Sequence, residues 1–206
     1  MVYETDVYRI SCEDESTSDI LLYHLEKKAG ELALLFGIPY PPADLKIHID
    51  ILDKQSFEDK KSLHFRKSAG SEIVAFSTVS ICAVSYRTIH DQYTPEEYCR
   101  VILHELVHVL QRITTRISPE QNVWLYEAVA CYLAGQRADV SYREKTHTPW
   151  DIFKKNFYAV PECYSIAYHL GSALMSSCAP GEAAARCSDV VHCETVCAQA
   201  YRNLFR

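Results

Sequence analysis

The stretch Val101-Ile-Leu-His-Glu-Leu-Val-His-Val-Leu110 decides how the rest of the chain is interpreted, because it places a His-Glu-x-x-His motif inside an apolar run. On an α-helix, residues four apart lie on the same face, so His104 and His108 can bind one metal ion. Glu105 lies about 100° around the helix from His104, beside the position that a water molecule takes at such a metal. The motif predicts a zinc site with two histidine ligands and Glu105 as general base.

The alternative is that this motif arose by chance on a half-buried helix. The chain's own frequencies of histidine and glutamate predict about 0.03 such motifs in a sequence of this length. The flanking residues are apolar on nearly all sides, where unpaired polar groups are costly. Metal binding explains why these polar residues are tolerated there.

A second stretch, Trp124-Leu-Tyr-Glu-Ala-Val-Ala-Cys-Tyr132, supplies a candidate third ligand. Glu127 lies nineteen residues after His108, which leaves room for a short loop and two turns of a second helix. Two histidines, a glutamate and one open position form the ligand set of a catalytic zinc site rather than of a closed structural one.

The spacing of His-Glu-x-x-His, eighteen residues and a glutamate, with that glutamate in a Trp-Leu-x-Glu-(small)-x-Ala context, resembles the gluzincin metallopeptidases. This group contains thermolysin and aminopeptidase N, and its small single-domain minigluzincins are closest in size. The resemblance implies a zinc-dependent peptidase acting on a peptide or protein substrate. It also implies an α+β, zincin-like fold, with a small mixed sheet packed on the HExxH helix and a mainly helical C-terminal part.

In gluzincins the last strands before the metal helix form an edge along which a peptide substrate lies, and residues 72–85 are the corresponding stretch here. The aminopeptidase branch carries Gly-x-Met-Glu-Asn in this region, and this chain has no such stretch. The resemblance therefore favours an endopeptidase.

The resemblance also implies a tyrosine that stabilises the oxyanion. In aminopeptidase N-like gluzincins this tyrosine lies three residues before a glycine, and Tyr168-His-Leu-Gly171 has the same spacing. A purely structural Tyr168 is an equal alternative because the chain has 14 tyrosines, and Tyr164 lies one turn earlier. In thermolysin-like relatives an acidic residue one turn after the glutamate ligand orients a histidine, whereas this chain has Cys131. In this chain the residue that orients a ligating histidine must therefore lie at another position.

Local patterns predict the secondary structure. Strict alternation predicts a strand over 45–51 with His48 facing solvent, and Thr94-Pro-Glu-Glu97 predicts the start of the metal helix. The other predicted elements are a helix over 16–37 opened by Ser16-Thr-Ser-Asp19, a helix over 54–65, strands over 72–77 and 80–85, a second ligand helix over 119–135 opened by Ser118-Pro-Glu-Gln121, and helices from 148, over 161–175 and over 188–204. Three strands thus precede the metal helix, which spans 95–113.

Length and composition limit the number of domains, the kinds of partner and the location of the chain. With 206 residues, 48% of them hydrophobic, the chain is expected to form one domain over 1–206. Residues 1–93 would form the helix and sheet, 94–137 the zinc-binding helices, and 138–206 the helical part. The net charge of -6 argues against a nucleic-acid partner. No apolar run approaches twenty residues and the N-terminus lacks a signal pattern, so no membrane partner is expected and the expected location is cytoplasmic. The oligomeric state is left open.

Nine cysteines, an odd number without regular spacing, predict reduced and mostly buried thiols. Cys187, His192, Cys193 and Cys197 cluster near the C-terminus, but their spacing matches no paired Cys-x-x-Cys site. We therefore predict no second zinc there.

Two functions from different classes fit the sequence. The first is a zinc-dependent metallopeptidase. The second is a catalytically inactive binding module that keeps the metallopeptidase core, for which the small size and the missing acidic residue are the reasons. A minor third alternative, a repressor-cleaving peptidase with HExxH and a later Glu-Ala pair, lacks a DNA-binding segment.

Overall fold

The structure is a computed structural model that describes residues 1–4, 8–12, 14–39, 46–64, 73–78, 80–115, 117–137 and 148–205. The chain divides into two compact units, Met1–Ala33 with Pro39–Val109 and Leu34–Ile38 with Leu110–Arg206. The first unit contains the strands, and the second is helical. Helices combined with one small mixed sheet confirm the α+β class, while the zincin-like fold and the single domain stay predictions.

The sheet has five strands within the described residues: β1 (Val2–Glu4), β2 (Tyr8–Cys12), β3 (Ile47–Leu52), β4 (Ala75–Ser77) and β5 (Ile81–Val84). Their order is β1-β2-β3-β5-β4. The three inner strands are parallel, and the outer strands β1 and β4 are antiparallel to their neighbours. The prediction of three strands before the metal helix was therefore wrong by two.

Alternation of buried and more exposed side chains explains β2 and β3. Ile47, Ile49 and Ile51 of β3 are buried and His48 is exposed, which confirms its predicted orientation. β2 shows the same period, and its Ile10 pairs with Ile49. β4 lies at an end of the strand order, as expected for part of an edge, although the predicted strand 72–77 begins outside the described residues.

Four helices accompany the sheet: α1 (Glu15–Leu35), α2 (Lys54–His64), α3 (Tyr86–Ile89) and α4 (Pro95–Thr114). α1 begins one residue earlier than predicted, because the Asp14 carboxylate accepts hydrogen bonds from the Ser16 amide at 3.2 Å and the Ser16 hydroxyl at 2.7 Å. Asp14 therefore takes the capping position expected of Ser16.

The start of α4 is confirmed. The Thr94 amide donates to Glu97 Oε2 at 2.8 Å, and the Glu97 amide donates to Thr94 Oγ1 at 3.3 Å, which is a reciprocal capping box. One turn further, the Tyr98 hydroxyl donates to the carbonyl oxygen of Val84 in β5 at 2.7 Å. The helix that carries the HExxH motif is thus fixed at its first turn and attached to the sheet.

The second unit contains α5 (Val123–Leu133), α6 (Trp150–Lys155), a 3₁₀ turn (Phe157–Ala159), α7 (Cys163–Met175), α8 (Ala183–Ser188) and α9 (Val190–Leu204). The predicted start of α5 at 119 was wrong, because Pro119–Gln121 form a turn and the Ser118 hydroxyl donates to Glu120 instead. The last predicted helix begins at Val190, since the Asp189 carboxylate accepts from the His192 amide at 3.0 Å. Residues 138–147 of the predicted helical part lie outside the described residues.

Gly171 allows α7 to approach α5 very closely. A Cβ atom added to Gly171 would lie 1.9 Å from the Ala128 carbonyl oxygen and 2.7 Å from Tyr132 Cβ. The partner of Gly171 in this close packing is therefore the helix that carries Glu127.

We expect Gly171→Ala to destabilise the protein by at least about 2 kcal/mol, as overpacking does. In an exposed helix the same change stabilises by about 1 kcal/mol, so the contact with Ala128 reverses the sign. Chemical denaturation measures the difference. Ala173→Leu, at an exposed position of the same helix, is the control and should have little effect. A Gly171→Ala variant as stable as the wild type would contradict the close approach.

All nine cysteines are free and eight of them are buried, which confirms the expected thiols. Among the helices that the structure describes, none combines the length and apolar character needed to cross a membrane.

Candidate metal centre

The two histidines of the motif lie on one face of α4, as predicted. His104 is 6% exposed and His108 is 8% exposed. Their ring centroids are 4.6 Å apart and the ring planes are nearly perpendicular, at 89°. The i and i+4 spacing thus brings two buried imidazoles into contact, a combination that is costly unless the ring nitrogens have partners.

Glu127 on α5 is 6% exposed, and it offers a carboxylate oxygen close to these imidazoles. One ligand atom from each of His104, His108 and Glu127 lies within 4.8 Å of the other two. Within the described residues, no other group of three or more His, Cys, Asp or Glu side chains is placed to hold a metal ion. The structure therefore brings together the three residues that the spacing predicted as ligands.

The donor set fits a zinc ion. Zinc bonds to histidine nitrogen and carboxylate oxygen are about 2.0–2.2 Å long, so donors around one ion lie at most about 4.4 Å apart. Three donors within 4.8 Å of one another need only small side-chain adjustments to meet that limit. Two neutral nitrogens and one carboxylate are also the set that leaves a coordination position open.

Burial and hydrogen bonds from side chains to backbone carbonyl oxygens fix the part of α5 that carries Glu127. Every residue of α5 from Trp124 to Cys131 is buried. Gln111, three residues beyond His108 on α4, donates to the carbonyl oxygen of Tyr126 at 3.4 Å. The Tyr126 hydroxyl in turn donates to the carbonyl oxygen of Ile117 at 3.0 Å. The residue before Glu127 is thus attached both to the end of α4 and to the loop that joins the two helices.

Tyr158 contacts the third candidate ligand directly, and the sequence analysis missed it. Its hydroxyl donates to Glu127 Oε1 at 2.8 Å. Tyr158 lies in the 3₁₀ turn between α6 and α7 and is 62% exposed, so its ring faces solvent while its hydroxyl reaches a buried carboxylate. No spacing rule identifies such a residue, because its partner lies 31 positions earlier in the chain.

The thiols and the phenol near Glu127 stay neutral. Burial, followed by the negative charge of Glu127, raises the pKa of Cys131 well above its usual value. Burial also raises the pKa of Cys163 to about 11. The pKa of Tyr164 is raised too, first by burial of its hydroxyl and then by Glu127 and Tyr158. Neither thiol belongs to the group formed by His104, His108 and Glu127.

The two predicted catalytic residues, Glu105 and Tyr168, lie on α4 and α7. Glu105 is half-buried on α4, next to His104 in sequence. Tyr168 is half-buried on α7, and its ring lies 5.7 Å from Tyr132 and 5.7 Å from His169. The roles of Glu105 and Tyr168 stay predictions. Tyr164, the alternative to Tyr168, is 49% exposed and interacts electrostatically with Glu127.

A cavity of about 200 Å³ lies beside Tyr158 in the second unit. It is bounded by both polar and apolar residues: Glu120, Gln121, Val123, Lys154, Lys155, Asn156, Phe157, Tyr158 and Ala159. Lys154 forms ion pairs with Asp151, at 3.4 Å, and with Glu194. The exposed ring of Tyr158 therefore forms part of the wall of a solvent-accessible hollow.

The C-terminal cysteines lie in the helical second unit. Cys187, Cys193 and Cys197 are buried, and the Cys193 thiol donates to the carbonyl oxygen of Arg186 at 3.1 Å. The absence of a second zinc at these cysteines stays a prediction.

Comparisons of the chain with protein-family models, with curated proteins and with solved structures found no match.

Proposed function

We propose that this chain is a zinc-dependent metallopeptidase that hydrolyses peptide bonds. The observation that carries the proposal is the convergence of His104, His108 and Glu127, three buried donors from two helices. Two imidazole nitrogens and a carboxylate oxygen that lie within 4.8 Å of one another form a donor set that a divalent cation binds.

Zinc suits this donor set better than the hard cations. Calcium and magnesium prefer six or more oxygen ligands, whereas two imidazoles and one carboxylate are typical of zinc. A bound zinc ion would acidify a water molecule and polarise the substrate carbonyl.

The residues around the site would then divide the work of hydrolysis. Glu105 accepts a proton from the attacking water and returns it to the leaving amine, and its partial exposure leaves it accessible to solvent and substrate. A tyrosine hydroxyl stabilises the oxyanion that develops on the carbonyl. Tyr168 has the spacing of the family, and Tyr164 is the alternative because it interacts with Glu127.

The zincin-like fold belongs to the same proposal. β4, within residues 72–85, is an outer strand in the order of the described strands, at the stretch where the resemblance places a peptide substrate. We propose internal cleavage, since the chain lacks the stretch that holds a substrate's amino terminus in aminopeptidases. Nine free thiols fit a reducing compartment, and we place the enzyme in the cytoplasm.

Turnover of a broad peptide library by the zinc-loaded chain tests the proposal. We expect cleavage within the peptides that stops on removal of the metal by a chelator and returns when zinc is added back. Mass spectrometry of the products identifies the bonds that are cut. Bound zinc without turnover would favour the inactive binding module, and cleavage that persists without metal would contradict the proposed chemistry.

A further inference from the structure

We propose that Tyr158 is a positioning residue that holds the Glu127 carboxylate in the orientation needed for metal binding. The inference rests on the metal site of the proposed function and concerns a residue outside the HExxH and glutamate motifs. It assigns to the 3₁₀ turn between α6 and α7 a role in holding the third candidate ligand.

The contact itself has the geometry of a strong hydrogen bond. The donor is a phenol, the acceptor is a carboxylate oxygen, and the two oxygen atoms are 2.8 Å apart. Hydrogen bonds to an ionised acceptor are about twice as strong as neutral ones. Since a glutamate side chain has three rotatable bonds, a bond to Oε1 removes much of the freedom that metal binding would otherwise have to restrict.

The surroundings of Tyr158 suit it to this role, because the residue before it, Phe157, is buried among other aromatic rings. Phe157 is 3% exposed and packs edge-to-face on Phe153, with ring centroids 5.4 Å apart and an interplanar angle of 70°. The Tyr158 ring lies 5.2 Å from Phe157 and 6.3 Å from Tyr164. The Val160 amide closes the turn by donating to the Phe157 carbonyl oxygen at 3.1 Å. The hydroxyl is therefore presented to Glu127 by a packed aromatic cluster.

Residue 131 does not supply a strong hydrogen bond that would orient a candidate ligand. It lies one turn after Glu127, where a carboxylate could orient a ligand through a hydrogen bond, but it is a buried cysteine. A thiol is a weak hydrogen-bond donor and acceptor. Tyr158, in the 3₁₀ turn, supplies a stronger hydrogen bond, and its acceptor is the Glu127 carboxylate.

The competing explanation is that Tyr158 only stabilises a buried carboxylate in the fold. The two roles differ in what they predict for metal affinity. A structural role predicts a less stable metal-free protein whose zinc affinity is unchanged. A positioning role predicts weaker metal binding and an altered ligand geometry, because contacts of this kind typically change metal affinity 10- to 100-fold.

Tyr158→Phe separates the two roles. The change removes one oxygen from a ring that is 62% exposed, so the aromatic packing is kept. Zinc affinity is measured by competition with a chromophoric chelator, and the visible absorption of bound Co²⁺ reports on ligand geometry. We expect an affinity about 10- to 100-fold lower than that of the wild type and a changed cobalt spectrum. Tyr23→Phe, at an 82% exposed tyrosine of the first unit, should match the wild type in both.

The outcomes distinguish this inference from the proposed function. If wild type and Tyr158→Phe bind zinc equally and give the same cobalt spectrum, the positioning role is overturned and the metal site stands. If Tyr158→Phe only lowers the stability of the metal-free protein, the hydroxyl serves the fold and the inference is again overturned. If the wild type binds neither metal, the proposed function fails, and the inference fails with it.

Discussion

Glu105→Gln is expected to lower peptide turnover by at least about a hundredfold while zinc stays bound. A general base typically contributes 10²- to 10⁴-fold to a rate, and the amide keeps the shape of the side chain but cannot accept the proton. His104, His108 and Glu127 are unchanged in this variant, so the ligand set is preserved. The measurement is turnover of a cleaved library peptide at saturating concentration, together with zinc content.

The matched control is Glu96→Gln on the same helix. Glu96 is 70% exposed and pairs with Arg100 at 3.5 Å, so the same chemical change occurs on α4 away from the motif. This control should retain wild-type turnover. Retained activity in Glu105→Gln would mean that another group is the base, and loss of zinc from it would mean that Glu105 contributes to binding.

His108→Ala is expected to lower zinc affinity by more than about a hundredfold, because removing a ligand exceeds the 10- to 100-fold effect of outer contacts. Ligand binding stabilises the native state, by about 4 kcal/mol when free zinc is at a thousand times its dissociation constant. Added zinc should therefore raise the unfolding temperature of the wild type and leave that of His108→Ala nearly unchanged. Turnover should be lost together with the metal.

The control for this change is His48→Ala. His48 is an exposed histidine of β3, and it is absent from the candidate metal-binding group. Its zinc-dependent stabilisation should equal that of the wild type. If His108→Ala retains zinc-dependent stabilisation, the ion binds elsewhere and the assignment of the ligands is wrong.

The helix that carries the HExxH motif was the most predictable part of the chain because its signals are local. The capping box of Thr94 and Glu97 lies within four residues, and the four-residue spacing of His104 and His108 fixes their common face. Glu127 was predicted from its context in the second stretch, and one of its carboxylate oxygens lies within 4.8 Å of a ring nitrogen of each histidine. Helical geometry alone accounts for the two histidines but not for Glu127, which lies on a different helix.

Other elements depend on contacts distant in sequence. β2 has only five residues, and its pairing with β3 joins Ile10 to Ile49 across the first helix. The Ser118-Pro-Glu-Gln121 stretch has the residues of a helix start, but Ser118 bonds to the Glu120 side chain and the helix begins at Val123. Local propensity is a weak prior when side chains have alternative partners.

Tyr158 shows where sequence reasoning about the site ends. It is one of 14 tyrosines, and nothing in its neighbours marks it. Its importance depends on the fold of the 3₁₀ turn, which brings its hydroxyl within 2.8 Å of Glu127. Tyr168 was selected because it lies three residues before Gly171 in the sequence. In the structure, Gly171 is explained by its close contact with Ala128, without reference to Tyr168.

Zinc titration of the metal-free wild-type chain, followed by X-ray absorption of the bound ion, tests the central claim most directly. We predict one saturable zinc site per chain with only nitrogen and oxygen donors at about 2.0–2.2 Å, two of them imidazoles. Sulfur donors at about 2.3 Å would assign the metal to the cysteines and contradict the account. A chain that folds but binds no zinc would contradict it as well.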